Sequence, residues 1–188
     1  MNFYISDLHL GDERIFTLCH RPFTSLDEME TSLIQKWNNK VNDGDDIYVL
    51  GDLADGSAER IAAFFSKTKG KKHLIVGNHD EDFVKEYVST RSFASIEHLA
   101  YVDDRGRKIC VCHYPLMDWF SGRETIYHVY GHIHNKTEQN GKMYADIKNY
   151  YADKPAFNAS VDVIGFEPVT LDELIKIKEG EKHDTYIH

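Results

Sequence analysis

The chain has 188 residues, with 31 acidic against 22 basic side chains for a formal charge of −9, 41% hydrophobic residues and 28% charged ones. Those proportions describe one globular domain over residues 1–188, with a polar, frayed tail expected from about residue 180. They exclude a membrane span, since no run approaches the ~18 apolar residues one needs, and the acidity disfavours extended contact with a nucleic-acid backbone. The start Met1-Asn2-Phe3-Tyr4 lacks the basic and apolar segments of a secretory signal. A cytoplasmic location is expected, with Cys19, Cys110 and Cys112 as reduced thiols.

Short apolar runs recur just before glycine, aspartate or histidine, with helical patterns between several of them, the layout of an α/β domain. Phe3 to Ser6 is the first strand and opens into Asp7-Leu8-His9. A helix follows, with Ser25 as its cap, Glu28 completing a capping box, and Leu26, Met29, Leu33, Ile34 and Trp37 on one apolar face. Ile47 to Leu50 is a strand that ends in Gly51-Asp52, and Ala58 to about Thr68 is a helix stopped by Gly70. His73 to Val76 leads into Gly77-Asn78-His79-Asp80, and a third helix begins near Glu81.

After Ser95 the pattern predicts paired strands, Ile96 to Val102 and Lys108 to Cys112, joined by the turn-rich Asp103 to Arg107. The second delivers His113. Tyr127 to Tyr130 is another short strand, opening into Gly131-His132-Ile133-His134, and Asn135 to Gly141 reads as a turn. Phe157 to Asp162 reads as sheet or sheet edge, and Thr170 with Glu173 signals a closing helix.

The strand ends carry the chemistry. Asp7 and His9 leave one side of an extended segment and supply a carboxylate and an imidazole to a metal. Asp52 has two oxygens with which to bridge two cations, while Asp55 is expected to orient a neighbour. Asn78 supplies an uncharged oxygen donor. His79, aimed at the cleft but not at a metal, is placed to donate a proton to a leaving oxygen. Asp80 is expected to hold the His79 ring, or to cap the following helix. His113 adds an imidazole, and His132 and His134 offer one ring to each of two metals. For the substrate phosphate, Arg21, His20 and Arg123 are the candidates, with Arg91 a further arginine the sequence cannot place. Trp119 and Phe120 are equally core or contact residues, and His73, His98 and His128 read as packed strand histidines.

Taken together, Asp7-x-His9, Gly51-Asp52-x-x-Asp55, Gly77-Asn78-His79-Asp80, His113 and Gly131-His132-x-His134 resemble the calcineurin-like metallophosphoesterase superfamily, in a small branch without accessory domains. The resemblance implies two β-sheets packed as a sandwich and flanked by helices, with a dinuclear centre at the sheet ends. Asp7, His9, Asp52 and His134 would hold one ion and Asp52, Asn78, His113 and His132 the other, leaving His79 catalytic with Asp80 behind it. Manganese is the first expectation, with iron, zinc or nickel also compatible with oxygen and nitrogen donors. The expected reaction is hydrolysis of a small phosphate ester, a phosphodiester ahead of a monoester, by in-line attack of a metal-bound hydroxide. A phosphomonoesterase, nucleotidase or nuclease is the alternative; a non-enzymatic scaffold is less favoured because no expected ligand is missing. The expected partner is a small phosphorylated molecule, with no membrane, no long nucleic acid, and a homo-oligomer left open.

Overall fold

The computed structural model describes residues 1–54, 58–119, 125–135 and 141–184. The first half forms a parallel sheet in the order β1-β2-β3-β4, from β1 (Asn2–Ile5), β2 (Asp46–Val49), β3 (Lys71–Ile75) and β4 (Ser95–Glu97). Parallel neighbours require crossovers. These hold α1 (Arg14–Leu18) and α2 (Leu26–Lys40), then α3 (Ala58–Phe65), then α4 (Val84–Thr90). Ser25 caps α2 by accepting the Glu28 N–H at 3.2 Å, but the Glu28 carboxylate closes on Thr24, accepting its N–H at 2.8 Å and its hydroxyl at 2.7 Å. The capping box is thus displaced one residue outward. Met29, Leu33 and Trp37 of α2 are buried, and Ile61, Phe64 and Phe65 of α3 join the same core.

The second sheet has the order β5-β6-β7-β8, from β5 (Leu99–Asp104), β6 (Arg107–Cys112), β7 (Ile126–Tyr130) and β8 (Ala156–Asn158). Only the β5–β6 pair is antiparallel; β6, β7 and β8 run parallel. The stretch expected as one strand from Ile96 to Val102 is two. Ser95–Glu97 pairs with β3 in the first sheet, and Leu99 opens the second. The chain changes sheets at His98, whose side chain is 68% exposed with Glu81 3.5 Å away, so it is not a packed strand histidine. Strand-forming residues on both flanks hide such a step from a reading of period alone.

Three helices complete the fold: α5 (Gly141–Tyr151), α6 (Val161–Ile164) and α7 (Leu171–Asp184). The expected strand from Phe157 to Asp162 is therefore half right, since β8 stops at Asn158 and Ser160 bridges to Ser6 before α6 begins. At α7 the capping box forms as expected: Glu173 Oε2 accepts the Thr170 N–H at 2.8 Å, and Thr170 Oγ1 accepts the Glu173 N–H at 3.3 Å. The helix continues through Gly180 to Asp184, where fraying from about 180 was expected.

Alternation along the strands of the second sheet divides two cores. Ile109, Val111 and Val129 belong to the main core with Phe3, Ile5, Ile47, Val49 and Leu74, and Tyr4 reaches across from the first sheet, its hydroxyl donating to Asp104 Oδ2 of β5 at 3.3 Å. Cys110, Ile126 and Tyr130 face the other way, against Trp119 and Tyr151. Trp119 belongs to this second core, 2% exposed with its indole N–H donated to the Ile126 carbonyl at 2.8 Å; Phe120 lies outside the described residues. All three cysteines are buried and free. No helix among the described residues is long and apolar enough to cross a membrane.

Candidate metal centre

The parallel strands β1, β2, β3, β6, β7 and β8 set their C-terminal ends along one rim, where ligands of open α/β sheets collect. The sheets meet there: Ser6 pairs with Ser160, and the Val161 N–H donates to the Ser6 carbonyl at 3.0 Å. The loops after β1 and β2 are tied in turn, the N–H groups of Asp7, His9 and Leu10 donating to the carbonyls of Gly51, Asp52 and Leu53 at 2.8–3.0 Å. Gly51, at φ +81°, faces Gly77 so closely that a Cβ on Gly51 would sit 2.5 Å from the Gly77 nitrogen. A Cβ on Gly77 would stand 2.6 Å from the Asp52 nitrogen and collide with Asp52 Oδ1. Side chains at these two positions would push the loops apart.

Two groups of donors converge. Ligand atoms of Asp7, His9 and His134 lie within 4.8 Å of one another, as do those of Asp52, His113 and His132. Asp52 Oδ2 stands between the groups, 3.8 Å from His9 Nε2 and 3.5 Å from His113 Nε2. Asn78 Oδ1 is 3.1 Å from His113 Nε2. The backbone adopts left-handed angles at Asp7, His9, Asp52, His132 and His134, with φ between 49° and 72°, a region costly for most side chains and concentrated at functional sites.

These donors suit a divalent cation. Among the described residues His9 Nε2 is buried without a hydrogen-bond partner, an unmet need at the point where an ion would sit. His113 Nδ1 faces the Leu50 carbonyl at 2.7 Å and must donate to it, which turns the Nε2 lone pair toward the Asp52 and Asn78 oxygens. Burial pushes His9 down to about 3 and holds His132 below its ordinary value, keeping both rings neutral as ligands must be. Burial opposes charge on His134 as well, but Asp7 and the hydrogen bond to Asp162 lift it to about 10; a cation there would displace that proton. In Asp7 the upward push of burial is overcome by the His134, His113 and His9 rings, and the carboxyl falls below its usual range; in Asp52 burial outweighs His113 and the carboxyl is raised.

The family model of calcineurin-like phosphoesterases matches residues 3–186. The chain belongs to that family. A relative by sequence is an uncharacterised protein of Methanocaldococcus jannaschii, 31% identical over 185 residues that cover 96% of this chain and 92% of that one. The gene 66 protein of Mycobacterium phage L5 is 31% identical over 80 residues, 41% of this chain and 38% of the phage protein. The crystal structure of a protein of unknown function from Aquifex aeolicus shares the fold, with a TM-score of 0.70 at 23% identity over 94% of this chain and 98% of that one. The phosphoesterase family is one of metal-dependent hydrolases, and the two helix-flanked sheets have its architecture.

Several residues of this chain take positions other than those expected. Asp80 does not hold the His79 ring, nor does its side chain cap the 3-10 turn Glu81–Phe83. Its carboxylate accepts the N–H groups of Asp52 at 2.8 Å, Leu53 at 2.9 Å and Gly77 at 2.9 Å, lashing the loop after β2 to the loop after β3. Burial raises it to about 6 against those hydrogen bonds. Arg21 is not free for a phosphate. Its guanidinium is fully buried, donating to both Asp162 oxygens at 2.8 and 3.1 Å and to the Leu8 and Asp7 carbonyls at 2.8 and 2.7 Å. His20 is exposed after α1 and Arg91 is exposed at the end of α4; neither lines the cleft over the donors. Arg123 and Asp55 lie outside the described residues. His79 and Asn78 are exposed at the cleft, with the His79 N–H on Asp52 Oδ1 at 3.0 Å and its ring 5.2 Å from that of His9.

Asp162 was missed. Its Oδ2 accepts from His134 Nδ1 at 2.6 Å while the carboxylate also receives Arg21, so one buried side chain orients a candidate ligand and anchors the arginine beneath the first loop. The signal was a lone aspartate two residues after Ser160 in a stretch that reads as sheet; nothing local marks it.

Proposed function

We propose that this chain hydrolyses a small phosphodiester with two divalent ions held by the two donor groups. The observation that carries the reading is the Asp52 carboxylate, one oxygen of which lies 3.8 Å from an imidazole of one group and 3.5 Å from an imidazole of the other. Asp7, His9 and His134 would hold one ion, Asn78, His113 and His132 the second, and Asp52 would serve both. When bound, such ions neutralise phosphoryl oxygens and acidify the attacking water. A mixed set of carboxylate, amide and imidazole donors accepts manganese, the first expectation, and equally iron, zinc or nickel.

The chain's own residues do the rest. The carbonyl of Leu50 and the carboxylate of Asp162 fix the His113 and His134 rings through their Nδ1 atoms, so each Nε2 is aimed without reorganisation. His79 reaches the cleft from a backbone pinned to Asp52 Oδ1, and its imidazole would give a proton to the departing alkoxide. The described residues lining the roughly 200 Å³ cleft are Asp52, Asn78, His79, His132, Ile133, His134, Met143 and Tyr144, with no lysine or arginine. A diester carries one negative charge where a monoester carries two near neutral pH, so a cleft without fixed cations favours the diester. The charge of −9 also argues against long nucleic acids as substrates.

The test compares matched phosphomonoester and phosphodiester turnover by protein reconstituted with manganese, zinc or iron, with a chelator control. The diester should be cleaved faster, and activity should vanish with chelation and return with metal. His79→Ala should slow turnover by about 10²–10⁴-fold while keeping its metal. Metal-loaded, folded protein inert toward both ester classes would overturn the reading in favour of a scaffold.

A further inference from the structure

Beside the polar cleft lies a second cavity of about 250 Å³, and Ile133 and Tyr144 line both. Its walls include the rings of Tyr130, Tyr151 and Phe157, which are 5%, 3% and 6% exposed and so form a firm floor. Tyr144, half-buried on α5, borders both spaces. The charged side chains on the walls are Lys148 and Lys178, with no carboxylate among the described lining residues of a chain whose net charge is −9. Lys178 is held there by the carbonyls of Tyr151, Lys154 and Ala156 at 2.6–3.1 Å, which fixes a positive charge in the wall.

We propose that this aromatic cavity receives the organic group of the phosphoester, so that the enzyme selects esters bearing one planar ring, neutral or anionic. The inference rests on the phosphoester reading of the neighbouring centre. Because Ile133 and Tyr144 border both spaces, an ester whose phosphate is held at the donors would extend its organic group past them toward the tyrosines. Ring-on-ring contact there adds to the burial of apolar surface. The volume, near the lower limit of small-molecule sites, suits a single ring system rather than a dinucleotide. The lysines disfavour cationic groups.

The test uses manganese-loaded protein and two diesters, benzyl methyl phosphate and ethyl methyl phosphate, whose leaving alcohols have similar acidity so that intrinsic reactivity nearly cancels. The benzyl ester should have a kcat/KM about tenfold higher or more, and Tyr144→Ala should bring the ratio toward one. Ala152→Trp, which fills the cavity from an exposed position after α5, should do the same without disturbing the buried floor. Benzylphosphonate and methylphosphonate, which cannot be hydrolysed, are titrated calorimetrically in parallel, and the benzyl compound should bind about tenfold tighter to wild type. Tighter benzylphosphonate binding with no turnover of either ester supports the cavity and overturns the hydrolytic reading. Turnover of both esters at equal kcat/KM, or phosphonate binding that is equal or undetectable, overturns the cavity proposal.

Discussion

Acidification from pH 7 to pH 4 should remove about 3 kcal/mol of folding stability through His128 alone. Its ring is buried in the second core, with Nδ1 3.1 Å from the Cys110 carbonyl and Nε2 3.2 Å from the Leu116 N–H. A carbonyl only accepts and an N–H only donates, so the neutral ring with its proton on Nδ1 is the form that satisfies both. Burial pushes the imidazole from 6.5 down to about 4, although the Cys110 and Tyr114 backbones pull the other way. The unfolded chain takes up its proton near 6.5 and the folded one only near 4, so the contribution is intact above 6.5 and is lost as pH falls through that window. At about 1.4 kcal/mol per tenfold change in proton affinity, the gap gives the figure above. Urea unfolding of metal-stripped wild type and His128→Gln between pH 7 and 4 measures it, since glutamine offers a donor and an acceptor but cannot titrate. Wild type should lose about 3 kcal/mol more than the variant across the window. Parallel pH slopes, or an NMR titration placing His128 above about 6, would refute the reasoning.

Asp162→Asn should lower metal affinity by about 10–100-fold through loss of the His134 orientation, read by competitive metal titration, while Asp162→Ala, leaving the Arg21 guanidinium buried and unpaired, should destabilise the fold by about 3–5 kcal/mol in denaturant melts. Asp80→Ala strips three buried N–H groups of their acceptor and should lower stability by about 1–3 kcal/mol for each left unmet, with loss of bound metal on elemental analysis; unchanged stability would show that water replaces the carboxylate. Gly77→Ala should abolish hydrolysis and metal retention by displacing Asp52, with far-ultraviolet circular dichroism unchanged.

The rim of the fold was legible in the sequence because each strand ends directly in its chemistry. Tyr4-Ile5 runs into Asp7, Val49-Leu50 into Asp52, Ile75-Val76 into Asn78 and Val129-Tyr130 into His132, so local pattern and site coincide. What was hidden depends on distance along the chain. Asp162 acts on His134 across 28 residues and on Arg21 across 141, so the arginine looked available for phosphate when it was already engaged. Asp80 stands next to His79, which suggested a partnership, but its acceptors are filled by backbone of Asp52 and Leu53, 28 and 27 residues away. The sheet change at His98 and the helix α5 were missed for a related reason: hydrophobic period reports a buried face without naming the layer that covers it.

The left-handed backbone shared by Asp7, His9, Asp52, His132 and His134 also constrains how such a centre can evolve. Aspartate, asparagine and histidine are the non-glycine residues that tolerate this conformation best, so donor chemistry and chain geometry select from the same short alphabet. Drift at these positions toward asparagine or glycine would abolish or weaken a donor yet leave the loops in shape, whereas valine or isoleucine would damage both. A lineage abandoning catalysis thus has an open route to an inert but well-folded descendant, and its substitutions should record that route.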